Sequence, residues 1–179
     1  MKSLLLIFTF ISLNPFLNGQ QKEPEFIPWN EKRQLIWDDF LAPAQKIGNT
    51  AALTVTHLGF SYHFINGKLS YIIECKFEKD RSWGLVKNDW ILGHEQGHFD
   101  IAEIYARKLF KELNEYTFNE KTFEKDLTEI YQKVVKDKDS FQQLYDRETE
   151  HSKNKEKQEE WLKKISETLK ELSDWSDYS

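Results

Sequence analysis

Cysteine is nearly absent from this chain: Cys75 is the single thiol, so no internal disulfide can brace the fold. No cysteine follows the apolar opening stretch either, which gives no indication of a lipid-anchored lipoprotein. A basic excess is also missing. The formal net charge is -5 and the Lys and Arg residues form no stripe, which argues against a nucleic-acid partner, because neutralising phosphates requires clustered cations. There is no internal repeat, and low complexity is confined to SKNKEKQEEWLKK, where alternating Lys and Glu read as a solvated helix face. No apolar run beyond the first residues is long enough for a membrane span in the mature chain.

Within the opening MKSLLLIFTFISLNPFLNGQ, one positive residue, Lys2, precedes an apolar stretch from Leu4 to Leu17. This stretch is short and ends abruptly, so it reads as a secretory signal peptide with cleavage near Gly19 or Gln20 and a periplasmic or secreted product. The remaining chain is rich in material for a core. Across all 179 residues of the full sequence 39% are hydrophobic and 15% aromatic, with six Trp and thirteen Phe, which suits one sizeable domain. The expected organisation is a signal peptide over 1–20, an extended or mobile lead-in over 21–30 that carries two Pro in QKEPEFIPWN, and one domain over 31–179.

From Asn49 to Phe77 the pattern is that of β-structure. Asn66-Gly67 is a strong two-residue hairpin signal, and a turn there pairs Phe64 with Leu69, Tyr62 with Tyr71 and Phe60 with Ile73. All six fall on one face, leaving Ser61, His63, Ser70 and Glu74 on the other. A shift in apolar parity near His57-Leu58-Gly59 predicts a bulge or break. A long helix is predicted from about Lys87 to Leu113, with Ile91, His94, His98, Ile101, Tyr105 and Leu109 as its apolar stripe. Two further helical patterns follow, one through Phe123, Leu127, Ile130 and Val134 and one through Trp161, Ile165, Leu169 and Leu172. The fold class is therefore α+β, a small antiparallel sheet with a β-hairpin on a helical core.

Inside the first predicted helix lies His94-Glu95-Gln96-Gly97-His98. Two His side chains four residues apart on a helix lie about 40° apart in projection and can grip one ion. Glu95 stands at the edge of that face, where a carboxylate can take a proton from water, so a zinc hydrolase is the leading reading. A catalytic zinc takes three protein ligands, so one is missing from the motif. Asp100 and Glu103 point about 140° and 160° away from the His pair, so they are outward charges or partners of neighbouring elements. The metzincin extension is absent, because Ile101 and Ile104 occupy its Gly and His positions. His57 and His63 fall in the strand region. His151, in a polar stretch between two helices, is the favoured third ligand.

The segments LIWDDF, SWGLVKNDWILGHEQGHFDIAEIYAR and YDRETEHSKNKEKQEEW, in that order, resemble the bacterial domain-of-unknown-function family numbered 922, described as predicted secreted zinc-dependent proteases. The resemblance runs from about Leu35 to Trp161. It implies a zincin-like active-site helix, marks His94, Glu95 and His98 as the metal-and-base motif, and in the later block marks Tyr145, Asp146, Thr149 and His151.

The expected mechanism places Zn²⁺ on His94, His98 and His151, with Glu95 as general base toward a peptide or protein substrate. Tyr145 is the candidate oxyanion donor and Asp146 the candidate for orienting a ligand imidazole. A variant makes Glu148 or Glu150 the third ligand and His151 the donor to the transition state. The alternatives are a non-catalytic zinc-binding protein of the cell envelope with a binding or assembly role, and an exported helical module in which the motif is accidental.

Overall fold

The computed structural model describes residues 23–48 and 50–178, so the expected signal peptide lies outside the described residues. Along the chain run β1 (Phe26–Pro28), β2 (Ala52–Leu53), β3 (Thr56–Ile65), β4 (Lys68–Glu78), β5 (Trp83–Gly84), α1 (Asp89–Glu115), α2 (Phe123–Thr149) and α3 (Lys155–Glu171), with short 3-10 turns between some of them. The architecture is α+β, as expected: an antiparallel sheet in the order β1-β4-β3, a separate antiparallel pair β2-β5, and three helices.

The hairpin turns where the sequence says it should. Asn66 and Gly67 both take left-handed backbone, with φ of 51° and 76°, the geometry whose twist matches two flanking strands. Phe64 then faces Leu69, Tyr62 faces Tyr71, and Phe60 faces Ile73. The bulge expected near His57 is not there. Pairing continues unbroken from Ile65–Lys68 to Thr56–Phe77, because the odd-numbered apolar residues Leu53 and Val55 precede β3 and do not disturb its alternation.

The extended lead-in is also more than a lead-in. Phe26–Pro28 adds a third strand to β4, Ile27 is buried, and Trp29 N–H donates to the Cys75 carbonyl at 2.9 Å. Folded structure therefore starts before Glu31. Pro28 is tolerated because β1 is an edge strand.

Helix α1 is the hub, touching β3 and β4 on one side and α2 and α3 on the other. Its start is fixed by Asn88, whose side chain accepts from Ile91 N–H at 2.9 Å, and by Asp89 in the first turn, where a negative charge complements the helix dipole. The core gathers Leu58, Ile73 and Phe77 from the sheet, Phe99, Ile101 and Leu109 from α1, and Leu127, Tyr145, Trp161 and Ile165 from the other helices.

A further stripe of α1 is polar and largely buried. Gln96 accepts from Leu35 N–H at 2.8 Å and donates to Asp100 at 2.8 Å, and Asp100 also accepts from the Trp29 indole at 2.9 Å. Further along, Arg107 donates to Glu103 at 2.8 Å and to the Leu169 carbonyl at 2.7 Å, while Tyr178 donates to Glu103. Asp100 and Glu103 are thus partners of neighbouring elements, which is why a helix can bury them. Among the described residues no helix is long and apolar enough to cross a membrane.

Candidate metal centre

One turn of α1 separates His94 from His98, and their Nε2 atoms stand 3.2 Å apart. Asp146 on α2 brings its Oδ1 to 3.1 Å from each. A tetrahedral ion with ligand bonds of about 2.0–2.1 Å needs donor atoms about 3.3 Å apart. The three-membered group His94, His98 and Asp146 meets that requirement and can hold a metal ion.

The side chains behind these donors set their direction. Gln142, one turn before Asp146, donates from Nε2 to the His98 carbonyl at 2.9 Å. Its Oε1 then faces His98 Nδ1 and accepts from it, so Nε2 is the nitrogen left for the centre. His94 is held by packing instead: its ring stacks on Tyr145 with centroids 4.5 Å apart, and its Nδ1 is buried without a hydrogen-bond partner among the described residues. The Tyr145 hydroxyl donates to the His94 carbonyl at 3.3 Å.

Electrostatics separate the two imidazoles. Burial lowers the pKa of His94 to about 4, despite a hydrogen bond with Asp146, so its ring is neutral at pH 7 and free to act as a ligand. Burial would lower His98 as well, but the hydrogen bond and charge of Asp146, the charge of Glu95 and the bond to Gln142 together raise it to about 9. Asp146 is pulled the opposite way: burial raises it, yet the two His residues outweigh burial and hold its carboxyl well below the usual range. A proton on His98 is therefore what a metal ion must displace.

Glu95 is buried beside the pair and lines the same cleft, of about 400 Å³. Burial pushes its carboxyl up, against the charge of His98 and hydrogen bonds from Thr54. A raised carboxyl is suited to shuttling a proton near neutral pH.

Five of the six residues singled out from the sequence meet here. His94, Glu95, His98, Asp146 and His151 all line the cleft. Asp146, expected to orient a ligand, stands among the donors themselves. His151 stands at the margin: its Nδ1 is 3.3 Å from Asp146 Oδ1, its side chain is 56% exposed, and it lies outside the three-membered group. Tyr145 does not reach the cleft. It is fully buried beneath His94, so it acts as a buttress and not as an oxyanion donor. Glu148 accepts from the Trp161 indole at 2.8 Å, and neither it nor Glu150 lines the cleft. Gln142 and Thr54 went unnoticed in the sequence, although Gln142 sits four residues before Asp146 and so shares its helix face.

Gly97 explains the glycine inside the motif. A Cβ there would meet the Tyr145 hydroxyl at 2.5 Å and its Cζ at 3.0 Å. The Tyr145 ring is wedged between His94 and Trp161 and cannot swing aside. Gly97→Ala is therefore expected to destabilise the fold by about 1–3 kcal/mol, although alanine is the better helix former. Urea unfolding of the two proteins checks this.

Comparison with known proteins covers the heart of this region. A search of curated proteins and a search of solved structures each gave no match. Residues 76–152, which span the end of β4, all of α1 and α2 and the turn carrying His151, match a family model described as bacterial protein of unknown function (DUF922), so this stretch is similar to that family.

Proposed function

We propose that this protein is an exported zinc-dependent hydrolase, with peptides as its substrates and a zincin-like active-site helix in α1. The observation that carries this reading is the convergence of two imidazole nitrogens and a carboxylate oxygen at the spacing of a tetrahedral ion, with Glu95 on the same cleft. Zn²⁺ is the favoured ion because two imidazoles and one carboxylate form a usual catalytic zinc set that leaves a position open. When bound, it supplies a Lewis acid and an activated water.

The residues of the chain do the rest. His94, His98 and Asp146 would hold the ion, and Gln142 and Tyr145 fix the two imidazoles. Glu95 takes a proton from the attacking water and passes it to the leaving amine. His151, exposed at the margin, donates a hydrogen bond to the carbonyl oxygen as charge develops on it. The buried setting of His94 and Glu95 strengthens their interactions.

The proximity of His151 to Asp146 also favours a second reading. If His151 joins the other three as a ligand, the site is closed by four protein donors, as in structural zinc sites, and the protein is a zinc-binding component of the cell envelope without turnover.

Glu95→Gln separates the two. The variant is expected to keep its zinc and to lose about 10²–10⁴-fold or more in cleavage of a peptide library. Zinc bound by both proteins and cleavage by neither would establish the second reading.

A further inference from the structure

Three consecutive non-glycine residues adopt left-handed backbone between α2 and α3: Glu150, His151 and Ser152, with φ of 51°, 51° and 71°. In this conformation Cβ crowds the following carbonyl oxygen, so such residues occur singly as a rule and a run of three is strained. Glycine at these positions would join the helices without that cost. The strained run includes the histidine at the mouth of the cleft.

Hydrogen bonds hold the run in place. His151 N–H donates to the Asp146 carbonyl at 2.9 Å, and Asn154 N–H donates to the Thr149 carbonyl at 2.9 Å, both within the segment. From outside, the Trp90 indole N–H donates to the Ser152 carbonyl at 2.7 Å. Trp90 lies one turn before His94 on α1, so its indole ties the turn to the helix that carries the donor pair. Trp90 is itself braced, since Gln158 of α3 donates to its carbonyl at 3.0 Å.

We infer that Trp90 is a positioning residue for His151: its indole pins a strained left-handed turn and so keeps the imidazole against Asp146. This rests on reading the cleft as a metal centre with His151 at its mouth. Without the pin, Glu150 to Ser152 relax toward ordinary backbone and the imidazole swings into solvent. A glycine at Ser152 removes the strain of that residue, the one with the largest φ of the three, so the turn depends less on the pin.

The test uses the full chain, free of metal, at one pH. The His151 imidazole resonance is assigned by its disappearance in His151→Ala. In Trp90→Phe it is expected to move toward the position of a free solvated histidine. In Trp90→Phe combined with Ser152→Gly it is expected to return. A resonance that does not move in Trp90→Phe overturns the inference, and so does one that moves and is not restored by the glycine, because a general packing defect would not be cured at Ser152. Should Trp90→Phe fail to fold, Ser152→Gly alone decides. It is expected to raise the melting midpoint by about 2–4 °C with the His151 resonance in place. A lower midpoint or a displaced resonance overturns the inference. Zinc titration of the wild-type protein stands apart: no binding there sinks the metal reading, whatever the resonance does.

Discussion

Asp146→Ala is expected to weaken Zn²⁺ binding by more than about a hundredfold, beyond the roughly 10–100-fold typical of residues that only orient a ligand. His151→Ala, by contrast, is expected to weaken it by less than about tenfold. Competition against a chromophoric chelator measures both. Asp146 Oδ1 touches His94, His98 and His151 together, so its loss removes a ligand and the negative charge that gathers the imidazoles.

Proton release gives the same experiment a second reading. In the wild-type protein His98, raised to about 9, carries a proton at neutral pH. An ion must displace that proton, so affinity rises with pH until about 9, and close to one proton appears in weakly buffered solution on binding. In Asp146→Ala the two largest causes of the raised value are gone, only Glu95 and Gln142 are left to oppose burial, and the His98 value falls. Less proton release is then expected at about pH 7.5. Equal release from both proteins would show that Asp146 does not hold the His98 proton.

Arg107→Leu is expected to cost about 3–5 kcal/mol, a large part of the roughly 5–15 kcal/mol that holds a domain together. Glu103 is 1% exposed, and Arg107 is its one cationic hydrogen-bond partner among the described residues, with Tyr178 as a neutral donor. Removing the guanidinium strands a buried carboxylate. Burial already raises the Glu103 carboxyl, opposed by the hydrogen bonds of Tyr178 and Arg107. An acid raised in the folded state favours folding below its unfolded value of about 4.3, and that contribution is lost as pH climbs through the folded value. Without Arg107 the folded value rises further. The variant therefore loses more stability than wild type between about pH 5 and pH 8, and the gap between them narrows in acid. Urea unfolding at the two pH values tests this, and a gap independent of pH would show that the loss comes from packing alone. Replacing both Glu103 and Arg107 with leucine is expected to recover part of the stability, because no charge is then left buried.

Much of this molecule is legible in its sequence wherever the signal is local. Asn66-Gly67 and the alternation around it set both the turn and the pairing of β3 with β4. The stripe from Ile91 to Leu109 sets α1, with ends two residues later than expected. The motif places two donors, since a helix fixes the relation of residues four apart. What is not legible depends on how distant elements meet. β1 has three residues and a proline, too little periodicity to declare itself, and forms because β4 offers it an edge. Asp146, Tyr145 and Gln142 lie within four residues of one another, yet one is a donor, one a buttress and one an acceptor for His98. Their roles follow from the rotation of α2 about its own axis against α1, which no pattern within α2 encodes. The polar surroundings of His151 mark it in the sequence, whereas its placement depends on a backbone conformation that its own residue types disfavour.

The distance along the chain between the donors has a thermodynamic meaning of its own. Asp146 is 52 residues from His94, so an ion shared by α1 and α2 closes a long loop. By the loop-closure relation used for covalent cross-links, tying together a loop of this length removes about 4 kcal/mol worth of freedom from the unfolded chain. A chain whose only cysteine, Cys75, is buried has no disulfide with which to do this. A metal ion bound there would thus serve this protein as a removable staple, and its capture would decide how long the folded helices outlast proteases and heat.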